Sequence, residues 1–189
     1  NTVIDGNSAA GNDATQGGGG LFQDAGPGTL TVTGSTVTDN LATGTSGSGG
    51  GLLNDQGTVF VSDTVFSGND AIRAGGGIET NAGTVTLTDV DLDTNTTGGN
   101  PGNGGGFHAG GANTVSYTGG TVSNNVAAKE GGGLWCSNSG TFTATGISFS
   151  GNSAGVDGDD VYRQEPGATP TVSVCSINGV LVPQGTGTP

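Results

Sequence analysis

Basic side chains are almost missing from this 189-residue chain: Arg73, Lys129 and Arg163 stand against 16 acidic residues, for a net charge of −13. Such an excess repels phosphate backbones and anionic membrane surfaces, which excludes nucleic acid as a partner and favours cations or basic surfaces nearby. Methionine is absent altogether, so the chain is expected to be processed or cut from something longer. No apolar run approaches the roughly 20 residues of a membrane span, and no signal peptide is recognisable. Helical signals are also lacking, since no segment joins helical apolar spacing to helix-favouring composition; a helix-based repeat is excluded. Only Cys136 and Cys175 are present, enough for one disulfide and compatible with an extracellular chain. Charged residues make up 10% of the chain, too few for an acidic disordered tail, and Val, Leu, Ile and Phe recur at fixed offsets, so order is expected.

What is abundant is glycine, 42 residues, much of it in clusters that open a repeated unit. The clearest copy is Gly75 to Asn95, GGGIETNAGTVTLTDVDLDTN: a glycine triplet, an apolar residue, an alternating Thr/aliphatic run and an apolar-x-x-Asn tail. The same order returns at Gly18 to Asn40, Gly49 to Asn69, Gly104 to Asn125 and Gly131 to Asn152, and a degenerate sixth copy carries Val161-Tyr162 and Thr171 to Cys175. Asn1 to Ala9 matches the end of a unit, so the chain is expected to begin inside a coil. The apolar residues after the glycines, Leu21, Leu52, Ile78, Phe107, Leu134 and Val161, are spaced by 31, 26, 29, 27 and 27 positions. From each of the first five to the apolar residue of its Asn motif the distance is 16, 14, 14, 15 and 15. Fixed strands with length variation confined to one corner are the mark of a solenoid.

Runs such as Thr84-Val-Thr-Leu-Thr88 alternate with period two and are made of β-favouring residues, so they read as half-buried strands. A unit of about 27 residues with three short strand-like pieces is one turn of a triangular coil. Stacking such turns pairs every backbone group with a neighbour and aligns equivalent residues in columns. Leu21, Leu52, Ile78, Phe107, Leu134 and Val161 form one core column; Ile4, Val37, Phe66, Leu92, Val122 and Phe149 form another. The recurring Asn at 7, 40, 69, 95, 125 and 152 reads as a structural amide ladder. Asn95-Thr-Thr97 also fits a glycosylation sequon, which a ladder role opposes. The glycines lack the Lys and the following helix of a phosphate loop and are read as corner residues. The fold expected is all-β: a single parallel β-helix of about six coils over residues 1–182, three short strands per coil, with 183–189 as a tail.

The pairing of GG-apolar (Gly76-Gly-Ile78, Gly105-Gly-Phe107, Gly132-Gly-Leu134) with F-x-x-N (Phe66-Ser-Gly-Asn69, Phe149-Ser-Gly-Asn152) resembles the repeats of polymorphic outer membrane proteins and related autotransporter passengers. The resemblance runs from residue 1 to about 162, with Ile4, Val37, Leu92 and Val122 in the place of Phe. It implies a right-handed parallel β-helix at a bacterial surface, often adhesive.

Three surfaces are candidates for function. Asp89-Val-Asp91-Leu-Asp93 places three carboxylates on one strand face, and Asp63 stacks near Asp89 in the adjacent coil; a calcium ion would relieve their repulsion, so these four are the candidate metal ligands. Asp157-Gly-Asp159-Asp160 is a weaker acidic group. Phe22, Trp135 and Tyr162, with Leu53, are expected on the outward side beside the glycine corners, where exposed aromatics dock sugars or proteins. The outward ranks Thr29/Thr31/Thr33, Thr84/Thr86/Thr88, Thr114/Ser116/Thr118 and Thr141/Thr143/Thr145, broken by Phe60, resemble an ice-binding face. An enzyme of the pectate lyase or polygalacturonase kind would need a basic residue beside calcium ligands or paired carboxylates; Arg73 and Lys129 fall in links, and His108 has no recognisable partner. The expected role is therefore a non-enzymatic extracellular or cell-surface solenoid, an adhesin segment or a filament subunit. Its expected partners are a second copy stacked head to tail on open strand edges, or glycans and surface proteins; calcium is the one cofactor considered.

Overall fold

The computed structural model of the chain describes residues 1–26, 28–165, 167 and 173–188. It is a β-solenoid of about six turns in which three sheets run the length of the stack. The glycine-edge sheet holds Leu21–Gln23, Leu52–Asn54, Ile78–Thr80, Phe107–Ala109, Leu134–Cys136 and Val161–Arg163, all parallel and in the register expected from the repeat. The wide sheet contains the alternating runs, with Thr58–Ser67 and Gly83–Asp93 as its longest strands. The third sheet is built from short pieces, Ser8–Ala10, Leu41–Thr43, Asp70–Ala71, Thr96–Thr97, Val126–Ala127 and Ser153–Ala154. In the sixth alternating run, Thr171 and Val172 lie outside the described residues; Val174–Ile177 continues the wide sheet beside Thr141–Thr145.

Three turns per coil, two at sheet corners and one within the wide sheet, each repeat a left-handed backbone residue in every coil. Gly18, Gly49, Gly75, Gly104, Gly131 and Gly158 turn the chain into the glycine-edge sheet. Gly34, Asp63, Asp89, Gly119, Gly146 and Asn178 bend the wide sheet. Gly6, Asp39, Gly68, Thr94, Asn124 and Gly151 immediately precede the repeated Asn or, at Gly6, Asn7 itself. Residues other than glycine in this conformation are disfavoured by about 1–2 kcal/mol, with Asp and Asn the best tolerated. Asp63 and Asp89, at φ 48° and 51°, thus occupy bend positions that other coils fill with glycine.

The interior is two apolar columns with the inward residues of the wide sheet between them. Leu52, Ile78, Phe107 and Leu134 are fully buried, as are Val37, Phe66, Leu92 and Val122, while Leu21, Ile4 and Phe149 at the outer coils are partly covered. Phe107 and Phe142 meet edge to face at 5.6 Å. Tyr117 points inward and donates its phenol to Val90 O at 2.6 Å, which satisfies the one polar atom it brings into the core. Cys136 and Cys175, 39 residues apart, form a disulfide that ties the fifth glycine-edge strand to the closing coil.

The ladder is continuous. Each Asn donates Nδ2 to Oδ1 of its counterpart one coil on, from Asn7 to Asn40 (2.9 Å), Asn69 (3.0 Å), Asn95 (2.9 Å), Asn125 (2.9 Å) and Asn152 (3.0 Å). The second Nδ2 hydrogen goes back to a carbonyl of the preceding coil, Phe66 O in the case of Asn95. The third glycine of each cluster is tied to this ladder: a Cβ at Gly20, Gly51, Gly77, Gly106 or Gly133 would lie 3.0–3.3 Å from the Asn40, Asn69, Asn95, Asn125 or Asn152 amide. The middle glycine serves a different contact, because a Cβ at Gly76 would overlap Thr96 O and lie 2.5 Å from Gly105 O. The two halves of the repeat motif are therefore one packing unit seen from two strands.

At the C-terminal end the stack changes direction. Val180–Leu181 pairs antiparallel with Val174–Ile177, and Thr186–Thr188, within the stretch expected as a tail, pairs antiparallel with Val161–Arg163. Arg163 fastens this closure, donating to Val182 O at 2.8 Å and Ser173 O at 2.7 Å.

Candidate functional site

The outward row of the glycine-edge sheet, read across register, is Phe22, Leu53, Glu79, His108, Trp135 and Tyr162. Alternation places these side chains outside the core, and an exposed aromatic row was expected. Only Phe22 meets that expectation, at 48% exposure; Trp135 and Tyr162 are each 6% exposed and Leu53 is covered completely. The reason is that links between coils contact this face and give the sheet a second layer. Arg73, in the link after Asp70–Ala71, brings Nη1 to 3.1 Å from Glu79 Oε1 and 3.0 Å from Ser48 Oγ. Glu130, in the link after Val126–Ala127, accepts the Trp135 indole N–H at 3.2 Å and pairs with Lys129 at 2.9 Å.

At the centre of the row is a buried charged group. Glu79 is fully enclosed, with one carboxylate oxygen on Arg73 and the other 2.8 Å from His108 Nδ1. The two atoms meet at ion-pair distance without hydrogen-bond geometry, and the imidazole stacks on the Trp135 indole at 4.3 Å with 20° between planes. The expectation that His108 lacks a partner is thus corrected: its partner is Glu79, one coil away at the equivalent position. Burial raises the Tyr162 phenol above its ordinary value, with Glu130, Glu165 and Asp157 adding to the effect. Over this end of the row lies an open cleft of about 470 Å³ whose walls include Lys129, Glu130, Trp135, Tyr162, Gln164 and Glu165.

The acidic strip is arranged differently from a metal site. Asp63 and Asp89 are the bend residues described above, opposite each other between the paired positions Ser62/Thr88 and Thr64/Val90. Asp91 accepts from Thr121 N at 2.9 Å and Thr121 Oγ1 at 2.7 Å. Asp93 accepts from Ser123 Oγ at 2.6 Å and Asn124 Nδ2 at 3.0 Å, bonds that hold its carboxyl below the usual range. These carboxylates reach to the next coil, and among the described residues no three acidic, histidine or cysteine side chains are gathered to hold a metal. Asp157, Asp159 and Asp160 likewise hold their own turn and the ladder end, accepting from Gly158 N, Ala154 N and Asn152 Nδ2.

The hydroxyl ranks are in register across five coils: Thr29, Thr58, Thr84, Thr114 and Thr141; Thr31, Phe60, Thr86, Ser116 and Thr143; Thr33, Ser62, Thr88, Thr118 and Thr145. This face bears no charged side chain, and Phe60 interrupts it at 44% exposure.

Residues 119–137 match the Chlamydia polymorphic membrane protein repeat. The matched segment runs from the bend at Gly119 through the ladder residue Asn125 and the glycines of the fifth coil to Cys136 and Ser137. No curated protein and no solved structure matches the chain. The repeat and the solenoid together fit a β-helix like those of polymorphic outer membrane proteins and autotransporter passengers. The repeat suggests outer-membrane or surface association; among the described residues no helix is long and apolar enough to cross a membrane.

Proposed function

We propose that this chain is a recognition segment of a bacterial surface solenoid, an adhesin-type rod that binds through its covered face rather than catalysing a reaction. The observation that carries this reading is the uneven decoration of the three sheets. The wide sheet offers hydroxyl ranks broken only by Phe60 before its bend and the solvent-facing acidic strip beyond it, whereas the glycine-edge sheet is overlaid by links and carries Glu79, His108, Trp135 and Tyr162 beneath them. Links of varying length on a fixed scaffold are where recognition is usually placed. A non-enzymatic role is supported by the engagement of each basic side chain: Arg73 with Glu79, Lys129 with Glu130, and Arg163 with the closing coil. The Glu79–His108 pair, 0% and 4% exposed, lies out of reach of a polymer substrate.

Binding of the purified protein to intact host or bacterial cells, measured by flow cytometry against a scrambled-link variant of 98–103 and 128–130, tests the reading. Specific, saturable binding lost in the variant is the expected result; no binding to any cell type overturns it. The filament reading fits less well, because two of the three sheets end in antiparallel strands that a second parallel coil does not extend. Sedimentation should find a monomer. The registered hydroxyl ranks favour a second reading, an ice-binding face, for which thermal hysteresis is the assay and its absence at high protein concentration the refutation.

A further inference from the structure

We propose that the cleft over the end of the covered row is a binding site for a short neutral saccharide. The inference rests on the recognition reading above and assigns its ligand chemistry.

The cleft holds about 470 Å³, within the range of small-ligand sites. Its lining mixes the groups that hydroxyl-rich ligands need: the Lys129 ammonium as donor, the Glu130 and Glu165 carboxylates as acceptors, and the Gln164 amide as donor, its Oε1 already accepting from Asn138 N at 3.1 Å. Trp135 and Tyr162 close the wall with little ring face exposed, so they shape the cavity while hydrogen bonds supply recognition. Asn103, also on the wall, has a buried Oδ1 with no hydrogen-bond partner in a residue 6% exposed. An unmatched acceptor beside a polar cavity calls for a donor, which a sugar hydroxyl or its bound water provides.

Charge selects among saccharides. Lys129 is already neutralised by Glu130 at 2.9 Å, leaving Glu165 in excess at the cleft mouth. Burial, with the same carboxylates and Asp157 adding to it, raises the Tyr162 phenol and keeps it protonated. Sialylated, sulfated and uronate sugars would therefore meet negative charge with no free cation to receive them. Neutral hexoses and N-acetylhexosamines meet only matched donors and acceptors.

The experiment uses a reporter already in place, because Trp135 is the only tryptophan in the sequence and lines the cleft. Lactose, maltose, cellobiose and N,N′-diacetylchitobiose are titrated into the intact protein at millimolar concentrations while Trp135 fluorescence is followed, with sialyllactose and digalacturonate as anionic comparisons. A saturable change with at least one neutral disaccharide and with neither anionic one is expected. Gln164→Ala should weaken that binding about tenfold, the loss of one well-made hydrogen bond, and Glu165→Lys should admit sialyllactose. Both positions are accessible, and unchanged thermal melts will show that the variants fold. No response to any neutral disaccharide, or a response that Gln164→Ala leaves unaltered, overturns the site. Cell binding that persists unchanged in Gln164→Ala overturns this inference and leaves the recognition role standing; saccharide binding without cell binding does the reverse.

Discussion

Replacement of Asn95 gives the most direct measure of what holds the stack together. Its Oδ1 accepts from Asn69 N at 3.1 Å and Asn69 Nδ2 at 2.9 Å, and its Nδ2 donates to Phe66 O at 3.0 Å and Asn125 Oδ1 at 2.9 Å. Asn95→Ala removes all four bonds at a site with no solvent exposure. The Asn69 backbone N–H and one of its amide hydrogens are then orphaned, each at about 1–3 kcal/mol, so a loss of about 3–5 kcal/mol is expected. That is a large share of the ~5–15 kcal/mol that keeps a domain folded. Asn7→Ala is the control: its amide is exposed, water replaces its bond to Asn40, and the loss should stay below about 1 kcal/mol. Urea denaturation followed by circular dichroism separates the two. The reasoning is refuted if the two variants lose the same stability. Asn95→Asp adds a check of sign. The new carboxylate would face Phe66 O and Asn125 Oδ1, so burial and lone-pair repulsion raise its folded pKa above the unfolded value near ~3.9. The charge penalty is then absent at acid pH and grows as pH rises toward neutrality; a variant that gains stability over that range would contradict the ladder's polarity.

Gly76→Ala should prevent folding or cost more than about 4 kcal/mol, because its Cβ has no room against two carbonyls, whereas Gly99→Ala, with open space around it, should be near neutral in the same melt. Thr94 is β-branched at φ 54° where the other coils have Gly, Asp or Asn, so Thr94→Gly should raise stability by about 0.5–1 kcal/mol; a lower melting temperature would count against strain there. Glu79→Ala leaves Arg73 and His108 without their shared carboxylate and should lose about 3–5 kcal/mol, more than Glu79→Leu, which a pair of melts will rank. Reduction of Cys136–Cys175 opens a 39-residue loop, and chain-entropy reasoning gives about 4 kcal/mol of lost stability, read as a drop in the urea midpoint with and without reductant.

Most of the fold is legible in the sequence because a solenoid copies its instructions. The spacing of Leu52, Ile78, Phe107 and Leu134 fixes the register that the structure displays, and the repeated Asn marks its ladder without a single contact being known. Alternation breaks in one place and is incomplete in another, for physical reasons. Along Thr88-Asp89-Val90 two successive residues face outward because Asp89 is a left-handed bend, an identity hidden by the fact that Gly119 and Gly146 do the same task elsewhere. On the glycine-edge sheet, alternation correctly says that Trp135 and Tyr162 leave the core but does not reveal what lies over them; the links do that, and their paths are not periodic. The Glu79–His108 pair was within reach of the sequence, since both residues follow the column-forming Ile78 and Phe107. Comparing that column across coils, rather than reading each strand alone, would have joined them.

The amide ladder also has an electrical sense. Each amide-to-amide bond from Asn7 onward points the same way along the stack, so their dipoles align with the donor end toward the last coil. That end is met at 2.9 Å by the carboxylate of Asp160 rather than by a seventh amide. An anion thus closes the positive pole of this column as an aspartate closes the first turn of a helix. The sequence writes a terminator for the ladder with one residue, and the coil that carries it is also the coil where the sheets reverse direction.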